Sequence, residues 1–397
     1  MKNQLSSRWQ IKPFREVAEV VTGTTPPKIS PEYYGGSVPF ITPTEIGDNG
    51  PIREASTYLT ASGVKRARLL PIDSVLVTCI GTLGKVGITE QPLVTNQQIN
   101  SLIFDTNIVF PKFAYFYCKT LKHVLETLAP STTIAIINKS KFSEIEIPLP
   151  PLAEQKRIAS ILDKADAIRR KRQAAIKLAD EFLRATFLDM FGDPVTNPKS
   201  WEENRLCEIA DIRSGITKGR RLNGHEIVNV PYMRVANVQD GHISLAEIKT
   251  IEATHAEIDR YLLRQGDILL TEGGDPDKLG RGAVWQGEIN PCIHQNHIFR
   301  VRPNPSYLLP DYLSALIGSA RGKEYFLVAA KQTTGIASIN MTQLSSFPAL
   351  IPPIILQKRF SEIVQKQGAL RQKLSAVNYQ QNNCFNSLTQ RAFRGEL

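Results

Sequence analysis

The 397-residue sequence has no long hydrophobic run, and nothing in it approaches the ~18 consecutive apolar residues of a membrane-spanning helix. Its first ten residues, MKNQLSSRWQ, are polar and lack the apolar centre of a secretory signal. The absence of a membrane-spanning helix and of a secretory signal predicts a cytoplasmic protein that is not attached to a membrane.

Cysteine is scarce as well. The five cysteines are scattered, odd in number and never form a CxxC pair. Such a pattern argues against both a disulfide framework and a zinc ribbon. We therefore expect reduced thiols.

Motifs for catalysis are also missing. The proline pairs in TPPK, LPPL and IPPI are never followed by an aromatic ring, so the Pro-Pro-aromatic motif of an amino-methyltransferase is absent. The segments TGTTP and SGITKG do not fit the phosphate-binding pattern GxxxxGK(S/T). The sequence predicts a protein that is not itself an enzyme.

Positive charge, by contrast, is in excess. Lysine and arginine number 48 against 38 acidic residues, so the net charge is 48 − 38 = +10. This balance favours a polyanionic partner, most simply nucleic acid, although a protein at a membrane surface would also fit it. Hydrophobic residues make up 42% of the chain, which is ordinary for a folded globular protein.

The chain repeats itself at half its length. PPLAEQKRIASI at 150–161 returns as PPIILQKRFSEI at 352–363, a separation of 352 − 150 = 202 residues. Other landmarks recur in the same order: VVTGTTP (20–26) matches IRSGITK (212–218), and TNQQIN matches HQNHIF. A repeat of this size predicts two units, each with a head and a tail.

The heads and the tails differ in composition. The heads, 1–149 and 194–351, mix short β-branched runs with helical segments and are broken by glycine and proline, which predicts an α/β (α+β) fold for each. The tails, 150–193 and 352–397, are rich in helix formers. Each tail opens with a proline pair, which suits a first helical turn and separates the head from the tail.

Apolar residues recur every seven positions in the tails, as in helices that pack on each other. In the first tail they are Ile161, Ile168, Ala175 and Phe182, and in the second Ile363, Leu370, Val377 and Cys384. We expect two antiparallel coiled-coil helices of ~60 Å each, related by a pseudo-twofold axis, with the heads at opposite ends. The paired helices would then hold the two heads at a fixed separation.

The chain resembles the DNA specificity (S) subunits of type I restriction-modification systems. The motifs that carry the resemblance are TGTTP and SGITKG in the heads, PLPPLAEQKRIASILD and FLDMFGD around the central helix, and the terminal RAFRGEL. The resemblance implies that each head is a target recognition domain for one half of a bipartite, asymmetric site in double-stranded DNA. It also implies that the helices set the spacer and dock two adenine-N6 methyltransferase (M) subunits, while restriction (R) subunits complete the complex.

The same resemblance places the cofactors elsewhere. S-adenosylmethionine, ATP and Mg²⁺ are expected on the partner subunits, and none is expected in this chain. The competing interpretation is a stand-alone DNA-binding or scaffold protein without a modification partner.

Base recognition needs side chains that donate and accept hydrogen bonds at groove edges, together with cations for the phosphates. Polar residues on predicted loops and strand ends are the candidates; the alternative for each is a solvated or turn-capping side chain. In the first head they are Thr24, Thr25, Lys28, Tyr33, Lys85, Asn96, Gln97 and Gln98. In the second head they are Thr217, Lys218, Arg220, Arg221, Arg234, Asn237, Lys278, Arg281, Gln295 and Asn296.

The segment CIHQNH at 292–297 raises the question of a metal site, because it holds Cys292, His294 and His297. No fourth ligand is apparent, and alternate residues of a strand point to opposite faces. We expect no metal here, but a strand whose polar residues face DNA or a neighbouring loop.

The motif QKR follows the proline pair in both tails and predicts a docking surface used twice, once for each partner subunit. Its residues are Gln155, Lys156 and Arg157, and Gln357, Lys358 and Arg359. The RRKR run at 169–172 is flanked by acidic residues, so we expect it on a solvated or partner-docking helix face rather than in a phosphate-binding patch.

Overall fold

The computed structural model describes residues 9–47, 50–129, 134–220, 226–274, 280–333 and 336–397. It divides into two compact units. The first unit consists of Met1–Ile176 and Lys373–Leu397, and the second of Lys177–Gln372. No helix among the described residues is long and apolar enough to cross a bilayer.

Both units mix strands and short helices. The strands of the first unit are β1 (Gln10–Pro13), β2 (Ala18–Thr22), β3 (Tyr34–Ile41), β4 (Thr57–Leu59), β5 (Val75–Thr78), β6 (Val86–Ile88), β7 (Val94–Thr95), β8 (Ile99–Phe104) and β9 (Glu146–Leu149). Its short helices are α1 (Phe14–Val17), α2 (Ala61–Val64), α3 (Pro111–Cys118), α4 (Lys122–Leu128) and α5 (Lys139–Ser143).

A long helix, α6 (Leu152–Phe191), leads into the second unit. The strands there are β10 (Glu202–Arg205), β11 (Ala210–Ser214), β12 (Ile227–Met233), β13 (Val238–Gln239), β14 (His242–Ile243), β15 (Lys249–Thr254), β16 (Ile268–Thr271), β17 (Gly273–Gly274), β18 (Gly282–Val284), β19 (Ile293–His294), β20 (Ile298–Pro303), β21 (Lys331–Thr333), β22 (Ile336–Ser338) and β23 (Pro348–Ile351). The helices are α7 (Leu206–Ile209), α8 (His255–Tyr261), α9 (Pro310–Gly318), α10 (Ala320–Ala329), α11 (Met341–Ser345) and the long α12 (Ile354–Arg394).

The two units share one sheet topology. The first contains a four-stranded antiparallel sheet in the order β2-β8-β5-β6, and the second contains its counterpart, β11-β20-β16-β18. A three-stranded sheet accompanies each, β4-β3-β7 and β15-β12-β19, with one parallel pairing in both cases. The predicted mixed fold with an internal repeat is confirmed.

The long helices contribute to the cores of the units. In the first unit Phe393 of α12 packs 5.2 Å from the ring of Phe113 on α3. In the second unit Phe191 of α6 lies 4.7 Å from the ring of Tyr312 on α9. Each buried aromatic side chain is worth roughly 2 kcal/mol of transfer free energy, so these helix ends are integral parts of folded units.

The helices run antiparallel inside each unit. In the first unit Arg157 donates to the carbonyl of Leu397, whereas Arg169, further along α6, lies over the earlier residue Phe385. In the second unit the ring centroids of Phe187 and Phe360 are 5.7 Å apart, whereas Asp180, earlier on α6, pairs with the later residue Arg371 at 3.4 Å. The predicted antiparallel pairing is therefore present.

The apolar seam predicted from the seven-residue repeat is only partly buried. Ile168, Phe182 and Leu370 are each about half exposed. The fully buried apolar positions of α6 near its start are Ile158, Ala159 and Leu162, which pack into the core of the first unit. The head, rather than the opposite helix alone, determines which face of the helix is covered.

A buried glutamine joins each long helix to its head. Gln155 is 1% exposed; its side-chain oxygen accepts from the N–H of Phe110 at 2.8 Å, and its amide donates to the carbonyls of Ile108 and Pro150. Gln357 is 0% exposed and repeats the pattern with the N–H of Leu309 and the carbonyls of Tyr307 and Pro352. The predicted docking role is therefore corrected for Gln155 and Gln357, whose side chains are buried and cannot contact a partner.

We predict that Gln357→Leu lowers the stability of the second unit by roughly 2–3 kcal/mol, because it leaves a buried N–H and two carbonyls without their partner. Chemical denaturation followed by circular dichroism measures the change. The exposed neighbour provides the control, since Lys358→Ala should stay within about 0.5 kcal/mol of the parent. Equal midpoints for the Gln357→Leu variant and the parent would contradict the structural role of this glutamine.

Candidate nucleic-acid interface

In the first unit two loops meet at the ends of β2 and β7. The N–H of Gly23 donates to the carbonyl of Ile99 at 3.1 Å, and the N–H of Thr24 donates to that of Thr95 at 2.9 Å. A Cβ on Gly23 would lie 2.2 Å from the carbonyl oxygen of Asn96, so only glycine allows this approach. The backbone of the TGTTP segment is thereby fixed against the segment that carries Asn96, Gln97 and Gln98.

The second unit builds the same junction. The N–H of Ile216 donates to the carbonyl of His294 at 2.8 Å, and the N–H of Asn296 donates to that of Ile216 at 3.0 Å. A Cβ on Gly215 would lie 2.0 Å from the carbonyl oxygen of His294. The SGITKG motif is therefore held against the HQNH segment as TGTTP is held in the first unit.

Several predicted contacts of the first unit are available at this junction. Thr24, Lys28 and Gln97 are exposed, and Thr25 donates its hydroxyl to the side-chain oxygen of Gln97 at 2.6 Å. This hydrogen bond orients the Gln97 amide while leaving its N–H₂ free to donate. Tyr33 is half-buried at the end of a short 3-10 helix, Pro31–Tyr33.

The remaining candidates of the first unit are engaged within the protein. Asn96 is buried and donates to the side-chain oxygen of Gln98 at 2.8 Å. Lys85 donates its ammonium to the carbonyl of Pro43 at 2.8 Å. Buried polar groups need such partners, so we assign Asn96 to holding the loop rather than to touching DNA.

In the second unit the exposed candidates are Thr217 and Lys218, and Gln295 and Asn296 are half-buried beside them. Arg281 is half-buried as well. Arg221 and Lys278 lie outside the described residues.

Three other candidates of the second unit are structural. Arg220 forms a two-pronged ion pair with Glu257, at 2.5 and 2.8 Å, and this contact lowers the pKa of Glu257 to about 2. Asn237 is buried and donates to the carbonyls of Ser244 and Glu247. Arg234 pairs with the carboxylate of Glu247 at 3.0 Å. The predictions for Arg220 and Asn237 as free DNA contacts are corrected, because Glu257, 37 residues further along the chain, binds Arg220, and two nearby backbone carbonyls bind Asn237.

The prediction missed a basic cleft beside the second junction. The cleft holds about 370 Å³ and is lined by Arg213, Ser214, Gly215, Arg260 and Tyr261. Ser214 donates its hydroxyl to the carbonyl of Asn296 at 2.7 Å, which ties the cleft to the candidate loop. Arg213 could have been found, since it precedes SGITKG, but only the folded chain brings the end of α8 to it.

The residues of CIHQNH separate in the fold. Cys292 and His294 are fully buried, whereas His297 is exposed and its Nδ1 lies 2.6 Å from a carboxylate oxygen of Glu272. Burial raises the pKa of the Cys292 thiol to about 12. Within the described ranges, no group of three His, Cys, Asp or Glu side chains is placed to hold a metal ion.

The charged part of the predicted docking surface is accessible. Lys156, Lys358 and Arg359 are exposed, and the exposed Arg157 pairs with Glu154 at 2.7 Å. The charged residues at the helix starts therefore remain candidates for partner contacts.

The RRKR run begins inside the first unit. Asp166 is 1% exposed and pairs with Arg169 at 2.9 Å and Arg170 at 3.0 Å. Lys119 of the head adds a third cation at 3.8 Å. The first two arginines of the run thus belong to an internal ion cluster, and the prediction of a solvated face does not hold for Arg169.

The sequence matches a known protein family in two places. The sequence profile described as "Type I restriction modification DNA specificity domain" matches residues 6–178 and again 198–379. This chain belongs to that family. The match confirms the resemblance drawn from the motifs, and with it the prediction of a specificity subunit rather than a catalytic chain.

Two relatives extend over most of the chain. The MjaIX specificity subunit of Methanocaldococcus jannaschii is 25% identical over 90% of this chain and 86% of its own length. The EcoKI specificity subunit of Escherichia coli is 25% identical over 99% of this chain and 90% of its own. Among solved structures, the S subunit of a type I system from M. genitalium covers 99% of this chain and 97% of its own with a TM-score of 0.57. Its 17% identity supports the shared fold alone.

We predict that the second unit loses stability as the pH falls from about 6.5 towards 4. Burial lowers the pKa of His294 from 6.5 to about 4, so the folded state keeps this ring neutral while the unfolded chain takes up a proton. The contribution is fully present above pH 6.5, and roughly 3 kcal/mol is lost by pH 4. Urea denaturation between pH 7 and pH 5 measures the slope.

His294→Thr provides the matched variant, because Thr95 occupies the corresponding buried position of the first unit. The variant should be less stable at pH 7 because a smaller side chain leaves a cavity, yet its stability should vary less between pH 7 and pH 5. A variant with the same slope as the parent would show that another group causes the pH dependence.

Proposed function

We propose that this chain is the DNA-recognition subunit of a type I restriction-modification complex, in which each unit binds one half of a bipartite, asymmetric site. The observation that supports this most directly is the junction pinned by Gly23 in one unit and by Gly215 in the other. In both units the glycine packs against carbonyl oxygens of the facing segment, but the side chains that the loops present are different. Two loops with corresponding backbone contacts but different side chains are suited to recognise two different DNA sequences.

The mode of recognition follows from the side-chain chemistry. An amide side chain pairs well with adenine because it donates and accepts at once, and Gln97 is already oriented by Thr25 for such a contact. Lys28 and Lys218 are exposed beside the junctions and suit phosphates, which fix the register of a protein on the duplex.

We extend the proposal to the partners. Two methyltransferase subunits would use the equivalent helix starts, where Lys156 and Arg157 in one unit match Lys358 and Arg359 in the other. Restriction subunits would join the same complex. S-adenosylmethionine, ATP and Mg²⁺ would reside on those partners, which carry out the chemistry that this chain directs.

Methylation mapping tests the proposed function. In cells that express this chain with an adenine methyltransferase subunit of a type I system, we expect methyladenine in both halves of one bipartite, asymmetric motif, and none when the chain is removed. Sequencing that detects methyladenine gives both half-sites. Methylation that persists without this chain would refute the proposal, and binding without any methylation would favour a stand-alone DNA-binding protein.

We predict that Lys218→Ala weakens binding to all duplexes alike and reduces the slope of log K against log salt by about one, because one phosphate contact is lost. Fluorescence anisotropy at several salt concentrations measures both effects. Lys199→Ala removes an equal charge and serves as the control, since that ammonium binds the carbonyl of Met190 at 2.8 Å. Equal slopes for the Lys218→Ala variant and the parent would show that Lys218 does not contact a DNA phosphate.

A further inference from the structure

We propose that the basic cleft beside the Gly215 junction binds one phosphate of the DNA backbone in the half-site of the second unit. The cleft is lined by Arg213, Ser214, Gly215, Arg260 and Tyr261. The inference rests on the proposed function and deepens it, because it assigns a ligand class, a DNA phosphodiester, to residues outside the candidate contacts predicted from sequence.

Two arginines line the cleft from different elements. Arg213 is on β11, is about half exposed and lies 3.1 Å from a carboxylate oxygen of Asp211. Arg260 is in the last turn of α8 and is exposed; it forms no ion pair within the part of the chain that the structure describes. Its guanidinium lies 5.4 Å from the ring centroid of Tyr261, a contact that favours its position at the cleft. Because a guanidinium only donates hydrogen bonds, both side chains suit a ligand that only accepts them.

The sheet behind Arg213 adds positive charge. In the pairing of β11 with β20, Arg213 lies opposite Arg300, and Asp211 lies opposite Arg302. Positions two apart on a strand share a face, so these four side chains lie on one side of the sheet. Asp211 pairs with both Arg213 and Arg300, and Asp267 pairs with Arg302 at 2.6 Å. Three arginines therefore share two carboxylates, and burial, together with the charge of Arg302, lowers the pKa of Arg300.

The excess of positive charge favours a phosphate over a base edge. When Arg260 is included, four arginines stand against two aspartates. A base edge is uncharged, whereas a phosphate carries a negative charge and accepts from several N–H donors at once. Asp259, the preceding residue on α8, does not line the cleft. Glu257 of the same helix is already paired with Arg220.

The cleft adjoins the residues proposed to meet DNA. Gly215 lines the cleft and also packs against the carbonyl oxygen of His294. Ser214 donates its hydroxyl to the carbonyl of Asn296 at 2.7 Å. The exposed Lys218 follows three residues after Gly215. A phosphate held in the cleft would therefore fix the register of the duplex beside the candidate base-reading loop.

The first unit carries different residues at the corresponding place. Val21 precedes the junction glycine of that unit by two residues, as Arg213 does in the second, and lies opposite Ser101 in the pairing of β2 with β8. Val21 is 2% exposed and packs in an apolar cluster with Leu76. Charged side chains at a place that apolar packing can fill lower the stability of a fold. A ligand accounts for the arginines better than folding does.

Arg260→Ala tests the contact, since this side chain is exposed and its removal leaves the ion pairs behind Arg213 in place. For the assembled complex on a duplex with its motif, we expect roughly 10-fold weaker binding. The slope of log K against log salt should fall by about one. Arg205→Ala is the control, because it removes an equal charge from an exposed residue of the same unit, on β10, that pairs with Glu208 at 2.7 Å. It should leave both values unchanged.

Duplexes with a neutral methylphosphonate at one position at a time identify the phosphate. We expect one position that weakens binding of the parent complex about 10-fold but has no such effect on the Arg260→Ala complex. Arg213→Val, which carries the residue of the first unit, should lose its sensitivity at the same position. Identical sensitivity of parent and variants at every position would overturn the inference, and loss of inorganic phosphate binding alone would assign the cleft to a free anion instead.

Methylation mapping separates this inference from the proposed function. The Arg260→Ala complex should methylate the same motif as the parent, because a phosphate carries no sequence information. A position that becomes degenerate would assign Arg260 to a base and overturn the inference. If the parent chain directs methylation while salt slope and phosphate sensitivity are the same in the variant, only the inference is wrong. If the parent chain directs no methylation, the proposed function itself fails.

Discussion

The packing of the long helices into the head cores is the contact on which the structure of each unit depends. Phe393 against Phe113 and Phe191 against Tyr312 bury the far end of each helix in a core formed mostly by residues distant in sequence. The buried glutamines act at the other end, where each helix starts. Hydrophobic burial supplies the stability and the amide hydrogen bonds set the direction in which each helix leaves its head.

The loop junctions at Gly23 and Gly215 hold the backbone in place while allowing the side chains to differ between the two units. At Gly23 and Gly215 a neighbouring carbonyl comes so close that no Cβ fits, and the two loops lock together through backbone hydrogen bonds. Because these bonds involve no side chains, Gln97 in one unit and Asn296 or His297 in the other can differ without disturbing the frame. Recognition of two unlike half-sites can thus arise from one architecture used twice.

Much of this architecture was predictable from sequence. The spacing of 202 residues, the helix-forming tails and the β-branched runs indicated two mixed α/β heads with long helices, because periodicity and composition are local properties of a chain. The exposure of single polar residues was harder to predict. Gln155, Asn237 and Arg220 look like surface residues in the sequence, yet each has its hydrogen bonds taken up inside the protein.

The sequence by itself therefore determined the repeat, the fold class and the family, since these depend on patterns and motifs along the chain. Only the tertiary structure decided which polar side chains are free to meet DNA. In the folded chain the side chains of Gln155 and Gln357 are buried, and Arg220 forms an ion pair with Glu257. Glu272 contacts His297, which lies 25 residues further along the sequence. The physical reason is that a polar side chain bonds whatever donor or acceptor folding brings within reach, and that partner is seldom a neighbour in sequence.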